Sequence, residues 1–153
     1  MAKDRKAPQK FVRASYSRSN AWAIEVVKEF LLSQSYNIHS KQEDYGPDIK
    51  AEKNSVIEYF EVETKTNYTF TNQENFKFPT VSFLARKEKW KDIGFWYMIV
   101  CRETRACIKC HSSVIYQEQF KEKLKINSKE RLGTDTFYHV PKELCEWLTL
   151  KND

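Results

Sequence analysis

Residues 47–65 read PDIKAEKNSVIEYFEVETK, and the reading of this stretch decides the fold. Its second half, Ile57 to Lys65, is rich in β-branched and aromatic residues and reads as a strand. Side chains of a strand alternate between its faces. Glu61, Glu63 and Lys65 therefore share one face, and Phe60, Val62 and Thr64 share the other. Core-forming strands seldom carry two carboxylates and an ammonium in a row. Such a face suits a hard divalent cation, because Mg²⁺ takes one or two carboxylates and fills its remaining positions with water and substrate phosphate. Asp48, at the start of a second candidate strand over 48–53, supplies the further carboxylate.

Periodicity organises the chain on either side. Ser19 or Asn20 caps a helix running to about Gln34, with Trp22, Ala23, Val26, Val27, Phe30 and Leu31 on one face. A short strand follows over 36–41, then 48–53 and 56–65. Residues 66–78 are polar and aromatic without a clear period and read as a loop over the site. Further strands are expected over 79–84 and 94–101, the latter an apolar run fit to be buried on both faces. Residues 106–111 pair with it as a hairpin. Ser112 or Ser113 caps a helix to about Leu124, and a strand lies near 137–140. Pro141 opens a last helix with Leu144, Trp147 and Leu148 on one face. The sum is an α/β protein with a mixed central sheet.

Composition narrows the class. With 153 residues, 41% hydrophobic and 14% aromatic, the chain is expected to form one folded domain. No apolar run reaches bilayer length, and residues 1–6 lack the apolar stretch of a signal peptide. The expectation is an intracellular protein, in cytoplasm or nucleoid, with no membrane partner and four reduced cysteines. The net charge of +5 resides wholly in residues 1–18, which carry Lys3, Arg5, Lys6, Lys10, Arg13 and Arg18 against Asp4. Residues 1–18 thus read as a basic arm and 19–153 as the domain. Basic arms bind phosphate backbones without reading sequence. A second cluster, Arg86, Lys87, Lys89 and Lys91 around Trp90, either tracks a nucleic-acid backbone or forms a solvated face with Trp90 turned inward.

Pro47-Asp48, fourteen intervening residues, and Glu63-Thr64-Lys65 resemble the motif of the PD-(D/E)XK nuclease superfamily, which includes restriction endonucleases and Holliday-junction resolvases. The likeness covers five motif residues, with Ile49 as the usual apolar residue after the Asp. It implies a three-layer restriction-endonuclease-like sandwich, a mixed sheet flanked by helices, and Mg²⁺-dependent hydrolysis of DNA, with Mn²⁺ as a substitute. By that resemblance Asp48 and Glu63 hold the metal and Lys65 completes the catalytic set, with Glu25, Glu29 or Glu61 as an additional group. A homodimer is a further expectation, since family enzymes that cut both strands often dimerise. The helix that the family places after the Glu-x-Lys strand is weakly marked here, over 84–92.

Other readings stand beside this one. A non-catalytic nucleic-acid-binding protein on the same fold uses the same arm and cluster. A protein-interaction domain uses Tyr68, Phe70, Phe76 and Phe78. Cys107-Ile108-Lys109-Cys110-His111 has the CxxCH haem pattern, but a strand there sends the two thiols to opposite faces. A zinc site from Cys101, Cys107, Cys110 and His111 has only one CxxC. His39, His111 and His139 are scattered, so no His-based nucleophilic triad is expected.

Overall fold

A computed structural model describes residues 13–39, 46–122 and 136–150, with side chains in the first helix from Asn20 onward. In chain order the elements are α1 (Arg13–Ser33), β1 (Asn37–Ile38), β2 (Ile49–Lys53), β3 (Val56–Lys65), β4 (Thr80–Leu84), a 3₁₀ turn (Ala85–Trp90), β5 (Trp96–Cys101), β6 (Ala106–His111), α2 (Ser112–Ile115), β7 (Phe137–Pro141) and β8 (Glu146–Thr149). Six strands form a mixed sheet in the order β1-β2-β3-β5-β6-β8, and β4 pairs with β7 in a separate two-stranded sheet. The fold is therefore α/β with a mixed central sheet. Among the described strands only β3 and β5 run parallel.

The β2–β3 hairpin sets the register of the whole site. Its two-residue turn is Asn54-Ser55, with φ of 53° and 67°. Positive φ at both positions gives the turn the twist of the flanking strands, and Asn tolerates it through local hydrogen bonding. Pairing then runs from Lys53↔Val56 to Ile49↔Phe60. Ile49 and Phe60 both enter the core, so Asp48 and Glu61, one step further, fall on the opposite face. Gly46, just upstream, has φ of 106°, a conformation costly for any residue with a Cβ.

One face of the sheet is covered by α1. Ala23, Val26, Val27 and Leu31 pack on Ile49, Ala51, Phe60, Val62, Met98, Val100 and Cys107. The other face buries Tyr97, Ile99, Cys101, Ile108 and Cys110 beneath β4, β7 and the 66–78 segment, which contributes Phe70 and Phe76. β5 thus loses both faces to the core, as its continuous apolar sequence requires. No helix among the described residues is long and apolar enough to cross a membrane.

Several expectations are corrected. The helix begins at Arg13, so Asn20 lies inside it rather than capping it, and the expected arm over 1–18 overlaps it. Lys3, Arg5, Lys6 and Lys10 lie outside the described residues. The helix expected over 84–92 is a six-residue 3₁₀ turn. The Ser112 helix is one turn capped by His111, whose ring accepts from Ser113 N–H. The expected last helix is a 3₁₀ turn followed by β8. Leu144, Trp147 and Leu148 fit a helical stripe, but residues 146–149 pair with the edge of β6. Tertiary pairing outweighs local pattern there.

Candidate active site

The faces of β3 separate as its alternation requires. Phe60 and Val62 enter the α1 core, while Glu61, Glu63 and Lys65 lie on the face toward Tyr97. Pairing with β2 ends at Phe60. Beyond it, the backbone groups of β3 that would continue the ladder are taken by side chains. Val62 N–H donates to Asp48 Oδ2 at 2.9 Å. Asn20, 7% exposed, donates from Nδ2 to Val62 C=O at 3.3 Å and accepts from Thr64 N–H at 3.2 Å. Glu63 is thus held in a backbone fixed on both sides.

Its carboxylate is held as firmly. Tyr97 Oη donates to Glu63 Oε1 at 2.7 Å, and Lys65 Nζ lies 3.1 Å from Oε2. Tyr97 is fully buried, and burial followed by the Glu63 charge drives its phenol pKa well above the ordinary value, so it remains a donor. Burial opposes the charge on Lys65, but Glu63 and Tyr68 outweigh it and raise the ammonium above its usual pKa. The Tyr68 ring lies 5.8 Å from Lys65 Nζ. Lys65 is therefore a fixed positive charge at neutral pH, a poor general base but a good partner for an anion.

Glu61 is almost wholly buried, accepts from Asp48 N–H at 3.2 Å and forms an ion pair with Lys87. Lys87 comes from the 3₁₀ turn and is itself only 13% exposed. It belongs to this cluster rather than to an open basic face. Trp90 packs inward against Phe95, while Lys89 crosses its ring at 4.7 Å and Lys91 pairs with Glu88. Arg86 and Lys89 are exposed. Arg13 and Arg18 fall on the first turns of α1. Glu25 is exposed and pairs with Lys28 at 3.8 Å, and Glu29 is also exposed; both lie off the buried stripe of α1. The helix contributes Asn20 to the site instead.

Burial, then the Asp48 carboxylate, raise the Glu61 carboxyl to about 7 against the pull of Lys87. The folded state thus holds a proton that the unfolded chain releases near 4.5. Stability from this group is complete below that value and is lost as pH rises through about 7. The loss is about 3 kcal/mol, at roughly 1.4 kcal/mol per pH unit between the two values. Urea midpoints of wild type and Glu61→Gln across roughly pH 4 to 9 are expected to diverge in that sense. Parallel curves would refute the assignment.

Asp48, Glu61 and Glu63 carry three carboxylates against the ammonium groups of Lys65 and Lys87. Among the described residues no three His, Cys, Asp or Glu side chains form a ready metal cage. Mg²⁺ needs only one or two protein carboxylates. Asp48 and Glu63 are oxygen donors of the kind that ion takes, and the Asp48 carboxylate is the second cause, after burial, of the raised Glu61 pKa.

The cysteines are buried thiols. Cys107 faces the α1 core and Cys110 the opposite one, so the CxxCH residues do not converge. His139 is less isolated than its sequence position suggests. It sits opposite Ser82 across β4–β7 and bridges Ser82 Oγ at 2.9 Å to Glu122 Oε1 at 3.0 Å. Tyr97, Lys87 and Asn20 were not expected in the site. Only Tyr97 had a signal: a Tyr inside a doubly buried strand needs a partner for its hydroxyl. Compared with known proteins, the chain matches no family model, no curated protein and no solved structure.

Proposed function

We propose that the chain is a Mg²⁺-dependent deoxyribonuclease of the PD-(D/E)XK type, built as a restriction-endonuclease-like three-layer sandwich. The observation that carries this reading is the placement of Asp48, Glu61, Glu63 and Lys65 on one face of the sheet, through the Asn54-Ser55 turn and the register it sets. In this reading Asp48 and Glu63 hold the metal. When bound, Mg²⁺ supplies an activated water and neutralises charge on the phosphate. Tyr97 and Asn20 keep Glu63 in one orientation, so little reorganisation remains at the moment of reaction. Lys65, held charged, stabilises the negative charge that develops as the phosphodiester is attacked. The small β4–β7 sheet and the 3₁₀ turn cover the face where the family pattern leads one to expect a helix.

A second reading, a nucleic-acid binder without catalysis, draws on the same clamp. Both oxygens of Glu63 already have partners, Tyr97 and Lys65. Incubation of the purified protein with linear, supercoiled, branched and single-stranded DNA, in Mg²⁺ or in EDTA, separates the two. Cleavage in Mg²⁺ that EDTA abolishes is expected. DNA binding with no cleavage in Mg²⁺ or Mn²⁺ leaves the second reading.

A further inference from the structure

We propose that Trp22, Arg102 and Arg105 form a phosphate-binding platform that carries the DNA backbone past Lys65, an inference that rests on the nuclease reading for its choice of polyanion. Arg102 Cζ lies 4.6 Å from the centre of the Trp22 ring and Arg105 Cζ lies 6.0 Å from it. Two like charges thus converge on one indole. Among the described residues no carboxylate forms an ion pair with either guanidinium. The ring holds both cations by its electron-rich face and leaves their N–H edges available. That edge is a planar fork suited to two phosphate oxygens at once. Arg102 is exposed, while Arg105 and Trp22 are half-buried, so the platform is packed at its base and open at its rim.

Two further observations place the base of the platform on the α1 side of the sheet, at the end of β3 that carries Lys65. Arg102 N–H donates to Lys65 C=O at 3.1 Å, and Trp22 follows two residues after Asn20, which binds Thr64 N–H. The platform therefore sits at the carboxyl ends of the parallel strands β3 and β5, where open α/β sheets take their ligands. Arg105 also adopts φ of 63°, a left-handed conformation that strains a side-chain-bearing residue.

The test uses the full chain and a fluorescent duplex of about 20 base pairs, with Ca²⁺ replacing Mg²⁺ so that binding is read without hydrolysis. Arg102→Gln/Arg105→Gln is expected to lower the log–log salt slope of affinity by about 1 to 2, at roughly 0.9 per phosphate contact. In Mg²⁺ its KM should rise about tenfold while kcat at saturating DNA holds, the signature of lost uniform binding. Unchanged affinity and slope overturn the proposal, as does a wild type that binds no DNA. If circular dichroism shows the Gln pair unfolded, Arg102→Lys/Arg105→Lys decides. That pair keeps both charges but not the planar fork, and an affinity about fivefold weaker is expected; wild-type affinity refutes the platform. The two proposals fail separately. A reduced slope without Mg²⁺-dependent cleavage retains the platform and rejects the nuclease, whereas cleavage with an unchanged slope does the reverse.

Discussion

Asp48→Asn, Glu63→Gln and Lys65→Met should each lower Mg²⁺-dependent DNA cleavage by about a thousandfold or more, with DNA affinity in Ca²⁺ nearly unchanged. The substitutions are chosen to spare the scaffold. Asn at 48 still accepts from Val62 N–H, and Gln at 63 still accepts from Tyr97. The loss should therefore appear in kcat and not in the thermal midpoint. Because the groups act as one unit, the double variant Asp48→Asn/Glu63→Gln should be scarcely worse than either single one. Full activity in any two of the three single variants would sink the catalytic assignment. A matching fall in affinity would mean that these residues bind DNA and do no chemistry.

Asn20→Ala is expected to give the largest stability loss of any single polar substitution in the site. It strips the partners from Val62 C=O and Thr64 N–H, two backbone groups joined to a buried side chain. Each unsatisfied buried group costs about 1 to 3 kcal/mol, so the total should be about 3 kcal/mol. For a chain of this size the thermal midpoint should fall by roughly 6 to 12 °C. Glu63 lies between the two groups, so kcat should also fall about tenfold as its orientation loosens. Asn20→Asp keeps the acceptor for Thr64 N–H and loses the donor to Val62, and it should lie between alanine and wild type. A midpoint within about 2 °C of wild type, less than 1 kcal/mol, would show that water replaces the amide at no cost.

Much of the fold was legible where pattern and packing agree. The limits of β3 follow directly from its alternation, and Glu61, Glu63 and Lys65 emerge on one face as the period of two demands. β6 and its turn were equally plain. The departures share a cause, which is that a partner far along the chain decides the outcome. Residues 146–149 suit a helix or a strand, and the free edge of β6 selects the strand. Asn20 looks like a cap in isolation, and its bonds to residues 42 and 44 positions away leave no local trace. Lys87 sits in a run of cations that reads as a nucleic-acid track or a solvated face, yet the 3₁₀ turn aims it at Glu61. Glu25 is a candidate by the family resemblance alone, and the seating of the helix on the sheet leaves it exposed, off the buried stripe.

The parallel seam between β3 and β5 has a consequence for how the protein reaches its native state. On either side of the seam stand hairpins, β2–β3 and β5–β6, that close through short turns and form in microseconds. The seam joins residues 36 apart, such as Phe60 and Trp96, and its closure bears the loop entropy of everything between. Glu63 stands on one side of it and Tyr97 on the other. The Glu63–Tyr97 contact thus forms only when the hairpins dock, and under the nuclease proposal partly folded chains that already hold both hairpins should be inert. Pulsed hydrogen exchange during refolding checks the order: amides of the two hairpins should gain protection before those that bridge β3 and β5. Simultaneous protection would show that the seam forms with the hairpins rather than after them.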